Sequence, residues 1–125
     1  MKMILLFSHK ITKEQVEDAK KSLGVDEFVK LDDKTLSLWS NIPTDIQDIS
    51  KHLKPIKDFI LRHASNGDYI LIQGDFGAVV KMIYFARAKG LIPVYSTTKR
   101  EVKEEFDGDK VKKVSLFKHI LFRKY

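Results

Sequence analysis

The sequence of 125 residues contains no cysteine, three prolines and one tryptophan. The absence of cysteine excludes disulfide bonds and zinc sites built on thiolate ligands. No apolar run approaches the roughly 20 residues that a membrane-spanning helix requires. The apolar start, residues 1–7, is too short for a signal peptide and no small-residue cleavage site follows it, so it predicts a buried first strand. Together these features predict a single cytoplasmic domain over residues 1–125 with no membrane partner.

Acidic residues are missing from the C-terminal segment, residues 110–125. This segment holds six Lys and Arg residues, which account for the whole formal net charge of +6. A basic face of this kind attracts phosphate groups and suits a nucleic-acid-binding module. The alternative is an edge strand whose lysines discourage aggregation. The composition leaves both interpretations open.

Short apolar runs alternate along the chain with segments of helical periodicity. Strands are predicted at residues 3–7, 27–31, 68–73 and 91–95, and helices at residues 12–23, 32–41, 46–64 and 78–89. Two further apolar segments, residues 102–106 and 111–122, flank Asp107-Gly108, which is typical of a β-hairpin. This order predicts an α/β fold: a three-layer, Rossmann-like, mostly parallel sheet with a C-terminal β-hairpin.

The segment Asp68-Tyr-Ile-Leu-Ile-Gln-Gly-Asp-Phe-Gly-Ala78 has the pattern of a strand, a glycine turn and a helix start. Ligands bind at the carboxyl ends of strands in open α/β sheets, and helix N-termini suit phosphate. Gly74-x-x-Gly77 lacks the first glycine of the dinucleotide fingerprint, and no Gly-Lys-Ser/Thr follows it as in a P-loop. The alternative is a tight turn that needs glycine only for its backbone.

Helix 78–89 is predicted to be apolar nearly all round. Such a helix is covered on more than one side. In a small domain the second cover is often another subunit.

Polar side chains follow three of the predicted parallel strands, and the carboxyl ends of those strands share one edge of the sheet. There Lys99 and Arg100 are predicted to neutralise phosphate, Asp75 to accept from a ribose hydroxyl, and His9 to be the imidazole nearest the ligand. The other predicted ligand-binding residues are Ser8, Gln73, Gly74, Phe76, Gly77, Thr97 and Thr98. The alternative is that residues 96–98 form an ordinary loop and Lys99-Arg100 a solvated face. His119, within an apolar strand, is predicted to be a core or interface residue.

Metal and serine-hydrolase chemistry find no support in the sequence. No close His/Asp/Glu cluster has the spacing of metal ligands, so no metal is predicted. No G-x-S-x-G elbow occurs.

Several segments resemble those of the small ancillary proteins encoded beside type III CRISPR systems, and the resemblance covers nearly the whole chain. Its most specific parts are Gln73-Gly-Asp-Phe-Gly-Ala78 and Thr97-Thr-Lys-Arg100. The other matching segments are Phe7-Ser-His-Lys10, Trp39-Ser-Asn-Ile-Pro43, Gly67-Asp-Tyr69, Gly90-Leu-Ile-Pro-Val-Tyr95 and Phe117-Lys-His119.

That family is similar to the CARF-related Rossmann-type domains that sense cyclic oligoadenylates. The resemblance implies a homodimer with a pocket for cyclic tetra-adenylate across its two-fold axis. It also implies a ring nuclease, in which a ribose 2′-hydroxyl attacks phosphorus without metal or cofactor and leaves a 2′,3′-cyclic phosphate. His9, Lys99, Arg100 and Asp75 are then the candidate catalytic residues, and no stable DNA or RNA partner is expected. The alternatives are a non-catalytic sponge or sensor of the same messenger and a nucleotide enzyme of an unrelated pathway that uses Asp75.

Overall fold

The computed structural model describes all 125 residues as four α-helices and five β-strands. In chain order they are β1 (Lys2–Leu6), α1 (Lys13–Leu23), β2 (Glu27–Lys30), α2 (Asp33–Ser40), α3 (Ser50–His63), β3 (Tyr69–Ile72), α4 (Phe76–Ala88), β4 (Ile92–Asp107) and β5 (Lys110–Lys124). Each helix is too short or too polar to cross a membrane.

The five strands form one sheet in the order β2-β1-β3-β4-β5. The first four are parallel, and β5 runs antiparallel to β4. This confirms the predicted α/β fold with a mostly parallel sheet and a C-terminal antiparallel hairpin. From β1 the chain leads to β2 on one side, while β3 lies on the other. The strand order therefore reverses between β1 and β3, the point at which open α/β sheets bind ligands.

Both faces of the sheet are covered by helices, which explains the unbroken apolar run of β1. Successive side chains of a strand point to opposite faces. Ile4 and Leu6 pack with α2, α3 and α4 in the larger core cluster, which also contains Trp39. Met3 and Leu5 pack on the other face with α1. Three helices thus cover one face and a single helix covers the other.

Helix α1 begins and ends where the sequence predicts. The Thr12 hydroxyl accepts from the backbone N–H of Gln15 at 3.2 Å, and the Gln15 side chain accepts from the Thr12 N–H at 2.9 Å. This reciprocal capping box satisfies two N–H groups that the helix leaves free. Gly24 follows the helix in the left-handed conformation, with φ of 68°.

The predicted helix over residues 46–64 is shorter than expected. Helix α3 begins at Ser50, whose N–H donates to the Asp48 side chain at 2.9 Å, and it runs without a break through Pro55. The turn held by Asp48 delays the helix start.

The predicted end of the fourth strand at residue 95 is wrong. Strand β4 continues to Asp107 and pairs with β5 along nearly all of its length, with one irregularity between Ser96 and Thr98. The β-branched Thr97 and Thr98 favour a strand, and the antiparallel partner satisfies the backbone groups that a loop would expose. Gly108, with φ of 61°, makes the predicted turn. Residues 98–119 form a two-stranded extension beyond the parallel strands, which we call the arm.

Candidate functional site

The loops that follow β1 and β3 meet at the switch point of the sheet. The Gln73 N–H donates to the carbonyl oxygen of Leu6 at 3.1 Å, which ties the two strand ends together. Ser8 and His9 follow β1 immediately, and the Gly74–Gly77 turn follows β3. The sequence prediction that these two segments lie at one edge of the sheet is therefore confirmed.

The end of α2 bridges the two loops. The indole Nε1 of Trp39 donates to the carbonyl oxygen of Gln73 at 3.0 Å. The hydroxyl of the next residue, Ser40, donates to the Ser8 hydroxyl at 3.1 Å. Trp39 is almost completely buried, so it fixes the turn after β3 against the core.

Gly74 and Gly77 have different structural roles. A Cβ at Gly74 would lie 3.1 Å from three indole atoms of Trp39, tighter than ordinary van der Waals contact. Gly74 therefore lets the turn pack directly on the indole. A Cβ at Gly77 would meet nothing closer than 3.6 Å, and Gly77 has no positive φ, so the fold does not require glycine there.

Asp75 caps the N-terminus of α4. Its side chain accepts from the Ala78 N–H at 3.0 Å. The N–H groups of Phe76 and Gly77, the first two helical residues, have no acceptor within the helix. The side chain of Phe76 is 92% exposed beside them. The turn thus offers two backbone donors and an exposed aromatic ring, and Asp75 is engaged in a structural role.

A cavity of about 370 Å³ opens at the carboxyl ends of β1 and β2, and Ser8 is one of its lining residues. Its polar lining consists of Ser8, His9, Lys10 and Lys30. Leu5, Phe7, Ile11, Leu31 and Leu36 supply the apolar walls. The cavity combines apolar walls with two cations, a composition that suits an aromatic ring carrying a phosphate.

A chain of hydrogen bonds connects the turn after β3 to β5 and α1. The Gln73 side chain accepts from the Ser96 N–H at 2.9 Å, and the Ser96 hydroxyl lies 2.5 Å from Nδ1 of His119. Nε2 of His119 lies 2.7 Å from an Asp18 carboxylate oxygen. The imidazole is only 5% exposed, so His119 is buried as predicted. Its partners give it a structural role that the sequence does not reveal.

The Asp18 carboxylate is held in its ionised form. Burial raises its pKa, but hydrogen bonds from the Ser22 hydroxyl and His119 outweigh that effect and hold the pKa below its ordinary value. An ionised Asp18 requires a proton on Nε2 of His119. When Nε2 alone carries a proton, Nδ1 of His119 accepts a hydrogen bond from the Ser96 hydroxyl.

Residues 97–100 lie in strand β4. The Thr97 hydroxyl bonds both the N–H and the carbonyl of Leu121 at 3.1–3.2 Å, which bridges the irregularity in the ladder. The Arg100 guanidinium donates to the Ser115 hydroxyl across the arm at 2.9 and 3.2 Å. Thr98 and Lys99 are exposed on the arm. Residues 96–100 thus form a strand and not the predicted loop. Of these residues only Ser96 joins the hydrogen-bond network that begins at Gln73.

Sequence reasoning overlooked several residues at the site. Lys30 ends β2 at the same sheet edge, so the rule that identified Ser8 and His9 would also have found it. Lys10 belongs to the matching segment Phe7–Lys10 but received no role. Trp39 lies in the predicted helix 32–41 and in a matching segment, but no local pattern indicates its contact with Gln73. No group of three or more His, Asp or Glu side chains gathers in a way that could hold a metal ion.

The fold and the crevice define an α/β protein with a candidate ligand site at the switch point of a mostly parallel sheet. The chain belongs to the family described as "Uncharacterized protein MJ1673 family", whose model matches residues 1–123. It is 56% identical over 124 residues to "Uncharacterized protein MJ1673" of Methanocaldococcus jannaschii. That match covers 99% of this chain and 96% of the relative. No solved structure matches the chain.

Proposed function

We propose that the protein is a ring nuclease that binds cyclic tetra-adenylate and linearises it, which switches off type III CRISPR antiviral signalling. One observation carries the proposal. Three of the segments that resemble the CRISPR-associated family, around Ser8, Trp39 and Gly74, come together through the hydrogen bonds at the switch point. Segments far apart in the chain thus build one crevice.

The chemistry of the crevice fits an adenylate. The cavity beside Ser8 has apolar walls for a base, and Lys10 and Lys30 line it with positive charge. The free N–H groups at the start of α4 suit a phosphate, since helix N-termini bind anions.

The proposed reaction is intramolecular transesterification. A ribose 2′-oxygen attacks the adjacent phosphorus, the bond from phosphorus to the 5′-oxygen breaks, and a 2′,3′-cyclic phosphate forms. The 2′-hydroxyl proton leaves, and the 5′-oxygen gains a proton. His9, which lines the cavity, transfers a proton in this step. Binding places the 2′-oxygen in line with the leaving oxygen, which accounts for much of the rate enhancement.

Charge that builds on the phosphate oxygens needs stabilisation. Within one protomer, we assign this role to Lys10 and Lys30, which line the cavity, and to the N–H groups of Phe76 and Gly77 at the start of α4. Lys99 and Arg100 lie on the arm. They neutralise phosphate, as predicted, only in an assembly in which the arm contacts the cyclic ligand. A homodimer with a two-fold axis offers each contact twice to a symmetric cyclic ligand. The proposal therefore includes a homodimer.

A sponge that binds the messenger without cleaving it is the second candidate. One observation favours it: His9 meets the Phe7 ring edge-on, with the ring centroids 6.4 Å apart, but has no hydrogen-bonding partner to orient it. General acid–base residues are usually oriented by such a partner. The two candidates share the crevice and differ in turnover.

Cleavage of labelled cyclic tetra-adenylate in EDTA tests the proposal. We expect linear di-adenylates ending in a 2′,3′-cyclic phosphate, and a loss of turnover on the order of 100-fold in His9→Ala. His63→Ala is the matched control, because His63 stacks on Phe59 and does not line the cavity. Tight binding without products would establish the sponge, and absence of binding would reject both candidates.

A further inference from the structure

Helix α4 presents an apolar stripe to solvent. Phe76, Val80 and Tyr84 follow one another at helical spacing, and they are 92%, 51% and 69% exposed. The buried contacts of the helix come from Ala78, Met82 and Ala86 on its other side. The sequence predicts that a second surface packs on this helix. In a single protomer the stripe of Phe76, Val80 and Tyr84 is exposed to solvent.

The arm presents a second apolar stripe. The ladder pairs Phe106 with Val111, Glu104 with Lys113, Val102 with Ser115 and Arg100 with Phe117, so these residues share one face, and the Glu104–Lys113 pair lies among the apolar side chains. Phe106 and Phe117 are 76% and 70% exposed. A two-stranded ribbon is at best marginally stable in water on its own. The arm therefore needs a surface to pack against.

We infer that the arm of one protomer packs along α4 of a second copy of the chain, and that the partner's arm does the same in return. A two-fold axis makes both contacts at once, because each subunit carries the helix stripe and the arm stripe. A single interface thus covers both exposed apolar surfaces.

The two stripes match in apolar area. From Phe76 to Tyr84 the helix rises about 12 Å, and the arm stripe, from the Arg100–Phe117 pair to the Phe106–Val111 pair, is about 20 Å long. With about 200 Å² for an aromatic side chain and less for valine, each stripe exposes on the order of 400 Å² of apolar surface. The two reciprocal contacts together bury about 1,600 Å², the size of a standard stable interface.

The acidic part of the arm and the exposed flank of α4 carry charges of opposite sign. Residues 101–109 of the arm contain five acidic residues and one basic residue, Lys103. Helix α4 and the residue after it contain Lys81, Arg87 and Lys89 and no acid. This acidic stretch matches the basic flank of α4, while the facing strand of the arm, residues 110–119, carries four lysines and no acid.

This inference specifies the dimer that the proposed function includes. Its experiments use no nucleotide, so its failure is distinguishable from failure of the ring-nuclease proposal. The first is light scattering on the eluting protein. We expect twice the 14.5 kDa of one chain for the wild type. Phe106→Glu and Tyr84→Glu should each raise the dimer dissociation constant by about ten-fold or more.

Leu116→Glu is the matched control, because Leu116 pairs with Glu101 on the opposite face of the arm and is also exposed. It should leave the dimer intact. A monomeric wild type would overturn the inference. So would a dimer that resists Phe106→Glu and Tyr84→Glu, or one that Leu116→Glu breaks equally.

Cross-linking tests the pairing itself, because the chain has no native cysteine. Val80→Cys and Val102→Cys conserve side-chain size at the centre of each stripe. Under mild oxidation, a mixture of the two single variants should form a cross-linked dimer, while each variant alone should not. Cross-linking of Val102→Cys alone would indicate arm-on-arm packing, and of Val80→Cys alone helix-on-helix packing. Either result, or no cross-link in the mixture, would overturn the inference.

Discussion

Replacing His119 with alanine tests whether the buried hydrogen-bond chain fixes the arm to the body of the protein. The imidazole connects Ser96 of β4, at 2.5 Å, to Asp18 of α1, at 2.7 Å. No other side chain links these two residues. His119→Ala therefore removes both contacts at the point where the arm leaves the sheet.

The cost follows from the environment of each partner. A hydrogen bond to a charged group contributes about 1.5–3 kcal/mol, and a neutral one about 1 kcal/mol. Asp18 keeps its bond from Ser22 and remains partly exposed, so water compensates part of its loss. The Ser96 hydroxyl is buried and loses its partner. We expect His119→Ala to lower the free energy of unfolding by about 3 kcal/mol.

Urea unfolding at neutral pH measures this effect, with Asp18→Asn as the control. Asparagine keeps a carbonyl oxygen that accepts from Nε2 of His119, so we expect a loss below about 1 kcal/mol. A loss below about 0.5 kcal/mol for His119→Ala would refute the role assigned to the chain of hydrogen bonds. Equal losses in the two variants would show that the charge of Asp18, rather than the bridging ring, is what stabilises the junction.

Three further predictions concern the turn after β3 and the N-cap of α2. Gly74→Ala should cost about 1 kcal/mol in thermal unfolding because its Cβ meets the pinned Trp39 ring, whereas Gly77→Ala should be neutral or stabilising; the reverse order would be inconsistent with the geometry. Asp75→Ala should lose about 1 kcal/mol of helix capping and Asp75→Asn much less, and equal losses would argue against a cap. The hydrogen bond from Thr35 holds the pKa of Asp32 below its ordinary value, so the stability it contributes is present above about pH 4 and is lost in more acidic solution. Acid titration of the melting temperature should be flatter in Asp32→Asn, and an identical slope would contradict this.

Local signals predicted the parallel part of the fold. The apolar run of β1 and the capping box at Thr12 each depend on neighbours within a few residues. The crevice followed from topology, since parallel strands place their carboxyl ends at one edge and thereby bring Ser8 near Gln73.

The arm could not be predicted in the same way. Residues 96–100 have the composition of a loop, and only pairing with a strand some twenty residues later makes them β-structure. Lys99 and Arg100 consequently lie on the arm and not at the crevice of their own protomer. The contact of His119 with Asp18 spans 101 residues of sequence, and no local pattern encodes it.

Ring-nuclease activity is tested by analysing the products formed when the purified protein is incubated with cyclic tetra-adenylate and a chelator. We expect conversion to di-adenylates that end in a 2′,3′-cyclic phosphate, slowed about 100-fold in His9→Ala and unchanged in His63→Ala. Recovery of the intact cyclic tetra-adenylate after prolonged incubation would contradict the proposed activity. Equal activity in His9→Ala would contradict the role of His9.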